Sequence, residues 1–149
     1  LAHELRGAAL EQPEHVVRVL AEALDRDQGR GLKGARILVL GVAYKKNVDD
    51  IRESPSLRLM ELIEARGAAS DFFDPFVTKI DGTREHPTLN GRSSVPWDLA
   101  RIESYDAILI ATDHDVVDYR AVADAAKLVL DTRNACARHD ANLRTVVRA

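Results

Sequence analysis

The sequence has a single cysteine, Cys136, which excludes an internal disulfide and suits a reducing compartment. It has no long apolar run: the stretches at residues 37–40 and 107–111 are far shorter than the roughly 20 residues that cross a bilayer. It has no basic excess either, since its net charge is -3 at pH 7 and nucleic-acid binders are usually strongly basic. We therefore expect a cytoplasmic protein that binds neither nucleic acid nor a membrane.

The first residues lack both an initiator methionine and the charged-then-apolar layout of a secretion signal. We therefore expect the chain to begin inside a longer protein. Its 149 residues suit one domain with one hydrophobic core. The balance of 46% hydrophobic and 30% charged residues is ordinary for a globular protein, so we expect the chain to fold.

The first predicted helix covers Pro13–Gln28, where apolar residues recur at helical spacing. Charged residues occupy its other face. The apolar face therefore needs an apolar surface to lie on, either in this domain or in a neighbour.

Strands and helices are predicted to alternate after this helix. The predicted strands cover residues 36–40, 69–73, 94–95, 107–111 and 128–130. Helices are predicted from the N-cap Ser54 to Gly67, at residues 98–104 and at residues 119–126. Residues 76–92 predict a surface loop, and the tail after Asn134 is weakly patterned. This alternation predicts a Rossmann-like α/β domain, with helices on both faces of a parallel sheet.

Ligands of such sheets bind beyond the carboxyl ends of the strands, where the strand order reverses. This rule selects the loops at residues 44–52, 112–118 and 132–134. The stretch GVAYKKNVDDIRESP (41–55) places three cations and several amides between a strand end and a helix start, where anions are favoured. Arg133 follows another buried strand, so basic groups from two strand ends could clasp a diphosphate. Because Gly-x-Gly-x-x-Gly is missing, we do not expect the main dinucleotide site here.

Several of these residues also have plainer explanations. The cations of the first loop could form surface ion pairs with its own carboxylates. Anchoring of loop amides is favoured over acid–base chemistry for the aspartates at strand ends, which are Asp49, Asp50, Asp74 and Asp131. Asp131 is expected to orient the turn that carries Arg133. His114 is expected to bond to a neighbouring loop rather than act as a general base, Cys136 to be incidental, and no metal-ligand spacing is found.

Four motifs resemble those of a known family and occur in the same order. The stretch ILVLGVAYKKNVDDIRESPS (37–56) is similar to the opening of the C-terminal domain in UDP-glucose and GDP-mannose dehydrogenases. FDP (73–75), ATDH (111–114) and VLDTRN (129–134) are similar to its later signatures. Within the family, the first and last motifs most resemble enzymes that act on UDP-N-acetylglucosamine or related N-acetylated sugars.

The resemblance implies an NAD-dependent oxidation of the sugar C6 alcohol to a carboxylate in two hydride transfers. It assigns NAD mainly to an N-terminal domain and the cysteine nucleophile to the same missing half, so this fragment should be inactive alone. It makes residues 1–33 the end of a central connecting region and residues 34–149 the C-terminal UDP-sugar-binding domain. The parent enzyme is expected to be a homo-oligomer whose other domains are this chain's partners.

The resemblance also implies which residues touch the substrate and the cofactor. The implied UDP-sugar contacts are Tyr44, Lys45, Lys46, Asn47, Val48, Asp49, Asp50, Ile51, Arg133 and Asn134. Lys45 is the leading phosphate or sugar contact, and the choice between Arg133 and Asn134 stays open. Arg52 is implied to reach NAD, its alternative being a salt bridge to Asp49 or Glu53. No catalytic residue and no metal ligand is expected in this chain.

Two other classes of function fit the same pattern. The chain could be a stand-alone nucleotide-binding or regulatory module that uses the same loop. It could also be an assembly domain in which the helix Pro13–Gln28 pairs with itself.

Overall fold

Five parallel strands form one sheet in the order β2-β1-β3-β4-β5 in the computed structural model, which describes residues 12–149. The strands are β1 (Arg36–Leu40), β2 (Ala69–Phe73), β3 (Ala107–Ile110), β4 (Val129–Asp131) and β5 (Val146–Arg148). The helices are α1 (Pro13–Gln28), α2 (Pro55–Ala65), α3 (Leu99–Ser104), α4 (Tyr119–Ala125) and α5 (Ala135–Arg138), with a 3-10 turn at Pro87–Leu89. The strand order reverses between β1 and β3, so this is the switch point where ligands are expected.

Each face of the sheet is covered by its own hydrophobic cluster. Ile37 and Val39 of β1 point into the cluster that contains α1 and α2. Leu38 and Leu40 point into the cluster that contains α3, α4 and α5. A strand buried on both faces needs apolar residues at successive positions, which explains the continuous run in β1. The predicted Rossmann-like α/β fold is confirmed.

Helix α1 finds the apolar partner that its sequence requires within this domain. Its buried residues Val16, Leu20 and Leu24 share a core with the inner face of α2, against which α1 packs. Its apolar face is therefore not left open for pairing with a second copy. Residues 1–11 of the proposed connecting region lie outside the described residues, and the division at residue 33 stays a prediction.

The predicted ends of α2 agree with the structure. The Ser54 hydroxyl accepts a hydrogen bond from the Ser56 N–H at 3.3 Å, and Pro55 occupies the first turn. Gly67 follows the helix with a φ of +90°, a left-handed conformation that glycine adopts without steric cost. No helix within residues 12–149 combines the length and the apolarity that crossing a bilayer requires.

The segment between β2 and α3 corrects two predictions. Residues 76–92 are not wholly a surface loop, because Val77, Ile80 and Leu89 are buried in the core. These three side chains are spaced too irregularly to show a helical or a strand period. The predicted strand at residues 94–95 is also wrong, since Lys79 pairs with Ser93 in an isolated bridge instead.

The tail after Asn134 contains two elements that were not predicted. Helix α5 has only four residues, and β5 adds a three-residue parallel strand beside β4. Both elements are too short to show a period. The place of β5 follows from its pairing with β4 at the edge of the sheet, which is a tertiary contact.

Candidate functional site

Two clefts flank the β1 loop, which we define as residues 44–53, at the carboxyl end of the sheet. The basic cleft has a volume of about 440 Å³ and is lined by Lys46, Asp113, Asp131, Thr132, Arg133, Asn134, Arg138, Arg148 and Ala149. The mixed cleft has a volume of about 760 Å³ and is lined by Tyr44, Asp50, Ile51, Arg52, Glu53, Leu57, Asp81, Gly82, Thr83, Arg84, Glu85 and His86. The β1 loop therefore contributes side chains to both clefts.

Asp74 is a buried carboxylate that follows β2 and organises the neighbouring strand ends. It accepts five hydrogen bonds, from the backbone N–H groups of Val42, Ala43, Phe76 and Val77 and from the imidazole of His114. Burial alone would raise the pKa of Asp74, but the hydrogen bonds from His114 and from the amides outweigh burial and lower it. The predicted anchoring role of Asp74 is confirmed.

These bonds show that the turn after β1 does not fit the pyrophosphate of NAD. In dinucleotide-binding turns the amides after the first strand face the phosphates. Here the N–H groups of Val42 and Ala43 donate to Asp74, at 2.9 and 3.3 Å. Gly41 serves close packing instead, because a Cβ there would lie 2.5 Å from the Cβ of Thr112. The turn after β1 therefore has neither of these two amides free for a phosphate.

His114 connects Asp74 to the β1 loop and has no solvent-exposed surface. Its Nε2 donates to Asp74 at 2.9 Å, and its Nδ1 accepts the N–H of Asn47 at 2.7 Å. Because a backbone N–H can only donate, the ring is neutral and carries its proton on Nε2. The Tyr119 hydroxyl donates to the His114 carbonyl at 2.9 Å. The predicted bond between His114 and a neighbouring loop is confirmed.

Asn47 fastens the exposed side of the β1 loop to the loop after β3. Its Nδ2 donates to the Asp115 carboxylate at 2.8 Å, and its Oδ1 accepts the Asp115 N–H at 2.9 Å. The Asn47 φ of +64° is left-handed, a conformation that asparagine tolerates better than most residues. Lys46 Nζ lies 3.6 Å from the other Asp115 oxygen. The side-chain amide of Asn47, an implied substrate contact, is thus engaged within the protein.

Asp131 organises the end of β4 in the same manner as Asp74. Its carboxylate accepts the N–H groups of Arg133, Ala135 and Cys136, at 3.0, 3.2 and 2.8 Å. The prediction that Asp131 orients the turn carrying Arg133 is confirmed. Arg133 Nε donates to the Ala111 carbonyl at 3.1 Å. The other two guanidinium nitrogens of Arg133 have no hydrogen-bond partner within residues 12–149.

Two other cations of the basic cleft are paired with carboxylates of the loop after β3. Lys46 pairs with Asp115, and Arg138 forms an ion pair with Asp113. The sequence did not reveal Arg138 or Arg148 as site residues, because α5 and β5 were not predicted. Asp113 stands in the ATDH motif, but its place beside Arg138 depends on the fold.

The structure brings Lys46 and Arg133 to one cleft, whereas Lys45 is absent from its lining. Lys45 is exposed and has no ion-pair partner in the described part of the chain. The expected convergence of basic groups from two strand ends thus holds for Lys46. Asn134 lines the same cleft, and its Oδ1 is buried without a partner among the described residues.

The remaining predicted residues of the β1 loop have other surroundings. Val48 and Ile51 pack partly against the core, and Asp49 is exposed. Tyr44 is 52% exposed and lines the mixed cleft. The Tyr44 N–H donates to the Asp50 carbonyl at 2.6 Å, which closes the loop on itself.

Arg52 pairs with Asp50 rather than with Asp49 or Glu53. Its Nε and Nη2 donate to the two Asp50 oxygens at 3.0 and 2.9 Å. Asp50 also accepts the Arg52 N–H at 2.9 Å in a local turn, which brings the two side chains together. The hydrogen bond from the Arg52 side chain is the main reason why the pKa of Asp50 is lowered to about 2. The Arg52 side chain remains 86% exposed.

Cys136 has no role at either cleft. It is buried, and burial, followed by the nearby Asp131, raises the pKa of its thiol to about 12. A thiol held in its neutral form is a poor nucleophile, as expected for an incidental residue. No group of three or more His, Cys, Asp or Glu side chains within residues 12–149 could hold a metal ion.

Comparison with known proteins places this Rossmann-like domain in a family. The model of the UDP-binding domain of the UDP-glucose/GDP-mannose dehydrogenase family matches residues 38–138. The chain therefore belongs to this family. It is 33% identical over 133 residues to a UDP-glucose 6-dehydrogenase of Haloferax volcanii, covering 87% of this chain and 28% of that protein.

A second relative, the UDP-N-acetyl-D-mannosamine dehydrogenase of Pyrococcus horikoshii, is 33% identical over 127 residues, covering 82% of this chain and 27% of that protein. The solved structure of UDP-D-ManNAc dehydrogenase from Pyrococcus horikoshii matches with a TM-score of 0.64 and 30% identity, covering 83% of this chain and 27% of that one. The chain thus spans 27 to 28% of the length of these relatives.

Proposed function

We propose that the basic cleft holds the diphosphate of a UDP-sugar, and that this chain serves an NAD-dependent nucleotide-sugar 6-dehydrogenase. The supporting observation is that Lys46 and Arg133, which follow different strands, line one cleft beside the switch point. The family match to a UDP-binding domain supports the choice of ligand.

The two cations have different tasks in this proposal. Arg133 is held by its backbone N–H and by its Nε, so its terminal nitrogens can grip phosphate oxygens with little loss of side-chain freedom. Lys46 adds a point charge from the β1 loop. Asn134 lines the same cleft and is a further proposed contact of the UDP-sugar. Both Arg133 and Asn134 are therefore retained as contacts.

The whole enzyme is proposed to oxidise the sugar C6 alcohol to a carboxylate, and NAD supplies the hydride acceptor. Because the amides after β1 are taken by Asp74, this chain is not proposed to hold the NAD pyrophosphate. Its proposed cofactor contact is Arg52, on the mixed cleft. The isolated chain is proposed to be inactive, since the cysteine nucleophile and the main cofactor site are assigned to other domains. The parent is proposed to be a homo-oligomer.

The proposed sugar is N-acetylated, namely UDP-N-acetylglucosamine or a related UDP-sugar. The form of the motifs at residues 41–55 and 129–134 supports this choice. The relatives named above are a UDP-glucose and a UDP-N-acetyl-D-mannosamine dehydrogenase, so the family includes both kinds of substrate. An assay of the full-length parent against a panel of UDP-hexoses, followed by NADH formation, would identify the sugar.

Calorimetric titration of the chain with UDP tests the cleft. Arg133→Ala and Lys46→Ala should each weaken binding by about 1–3 kcal/mol, since each removes a charged partner of the diphosphate. Lys127→Ala removes the same charge as Lys46→Ala at an exposed position before β4, away from the cleft, and should leave UDP affinity unchanged. A folded protein that binds no UDP would contradict the assignment.

Lys45→Ala distinguishes the two lysines of the β1 loop. The resemblance makes Lys45 the leading contact, whereas the cleft is lined by Lys46. If the cleft is the diphosphate site, Lys46→Ala should weaken UDP binding more than Lys45→Ala does. The reverse order would mean that the β1 loop changes its conformation when the nucleotide binds.

A further inference from the structure

We propose that His114 is a positioning residue, whose Nδ1 holds the β1 loop in the conformation that places Lys46 in the basic cleft. This inference rests on the proposed function of that cleft. The observation behind it is a continuous series of two hydrogen bonds, one buried and one partly buried, from Asp74, after β2, through His114, after β3, to the Asn47 N–H, after β1. The series connects the ends of β1, β2 and β3. It ends at Asn47, the residue next to Lys46.

The charge of Asp74 determines which ring nitrogen of His114 carries the proton. Because the Asp74 carboxylate accepts from Nε2, it selects the tautomer in which Nδ1 is free to accept the Asn47 N–H. Both His114 and Asp74 are excluded from solvent, with exposures of 0% and 2%. Water therefore cannot replace a lost partner at His114, and a lost bond leaves a buried polar group unsatisfied.

Two sets of hydrogen bonds made by Asn47 hold the β1 loop, and they differ in burial. The exposed one is the reciprocal pair of Asn47 and Asp115, where water competes for both side chains. The more buried one is the bond from the Asn47 N–H to the His114 ring, which is partly buried and has a fully buried acceptor. We therefore infer that the more buried bond contributes more to the placement of Lys46 than the exposed pair does.

Two substitutions of His114 each remove one of the two hydrogen bonds that its ring makes. In His114→Asn the amide oxygen lies near the position of Nδ1, so the acceptor for Asn47 is kept and the donor to Asp74 is lost. In His114→Gln the amide nitrogen lies near the position of Nε2, so the donor to Asp74 is kept and the acceptor for Asn47 is lost. Each variant removes one hydrogen bond of the buried His114 ring, and each should lose folding stability.

The variants should differ in UDP affinity, measured by calorimetry at a temperature at which both are folded. His114→Gln is expected to raise the Kd about tenfold, and His114→Asn no more than about twofold. A purely structural role for His114 would weaken binding in both variants in parallel with their loss of stability. Equal affinities in the two variants would overturn the proposal, whether both are weakened or neither is.

Amide hydrogen exchange tests the hydrogen bond from the Asn47 N–H to His114 independently of UDP binding. The Asn47 N–H should be protected in the wild type and in His114→Asn, and at least about tenfold less protected in His114→Gln. If UDP fails to bind the wild type while this pattern holds, the proposed function is contradicted, but the role of His114 in holding the β1 loop is supported. If variants do not fold, the ring ¹⁵N shifts of the wild type decide, because a proton on Nδ1 of His114 would overturn the proposal.

Discussion

The two clefts beside the β1 loop are built partly from the same ten residues, yet they differ in charge and in how their charged side chains are held. The basic cleft has four cationic side chains against two aspartates. The mixed cleft has two arginines against four carboxylates. The basic cleft suits a diphosphate, whereas the mixed cleft has a surplus of negative charge. One loop can thus present opposite charge to its two sides.

The clefts also differ in how their charged residues are held. Two buried carboxylates, Asp131 in the lining of the basic cleft and Asp74 behind the β1 loop through His114, together accept eight hydrogen bonds. In the mixed cleft, Arg52 is held by the solvent-exposed Asp50. A site held by buried carboxylates is ready to bind without further ordering, whereas Arg52 is free to move toward a ligand or another domain.

The largest difference in stability is expected between neutralising a buried carboxylate, Asp74, and neutralising an exposed one, Asp50. Asp74→Asn should lower the free energy of unfolding by about 4 kcal/mol, because a buried charged acceptor of five hydrogen bonds is lost. Asp50→Asn is the matched control and should leave the urea midpoint unchanged within error, because its partner Arg52 is exposed. Similar urea midpoints for both variants would contradict the claim that the buried carboxylate stabilises the fold more than the exposed one does.

The next effect concerns two glycines, Gly41 at the end of β1 and Gly82 in the lining of the mixed cleft. Gly41→Ala should destabilise the fold by about 3 kcal/mol, since the φ is +89° and the new Cβ would lie 2.5 Å from the Thr112 Cβ and carbonyl oxygen. Gly82→Ala should cost only about 1 kcal/mol, since the φ of +68° is strained but no atom lies within 4 Å of the new Cβ. Urea denaturation measures both. Equal costs would show that the Gly41 turn can relax away from Thr112.

A smaller effect is expected from pH. The folded-state pKa of Asp74 is lowered, so its ionisation stabilises the fold above the unfolded pKa of about 3.9, and this contribution is lost as the pH falls through the folded pKa. The difference in unfolding free energy between the wild type and Asp74→Asn should therefore narrow as the pH falls below about 4. Urea denaturation at a series of pH values checks this. A difference that is constant with pH would mean that the Asp74 pKa is the same in both states.

The sequence predicted the parts of the site that depend on local order. The strand ends of β1, β3 and β4 were predicted from apolar runs, so the cations of the β1 loop and Arg133 were expected at one edge. The sequence favoured Lys45 as the leading contact, whereas Lys46 lines the cleft with Arg133. The core positions of Val77, Ile80 and Leu89 were not predicted, because their burial depends on tertiary contacts. For the same reason, neither Arg138 nor the choice between Lys45 and Lys46 could be read from spacing.

The smallest effect is expected from the carboxylates that line the clefts. Asp113→Asn removes a negative charge from the basic cleft and frees Arg138 from its ion pair. Exposed ion pairs contribute at most about 1 kcal/mol, so UDP affinity should rise by no more than about fivefold.

Glu53→Gln changes the net charge of the protein by the same amount as Asp113→Asn, but on the mixed cleft. Its UDP affinity should equal that of the wild type in the same calorimetric titration. If both variants gain affinity equally, the nucleotide senses the charge of the whole molecule and not that of one cleft. A gain confined to Asp113→Asn, which should shrink as salt screens the charges, would place the diphosphate on the Arg133 side of the β1 loop.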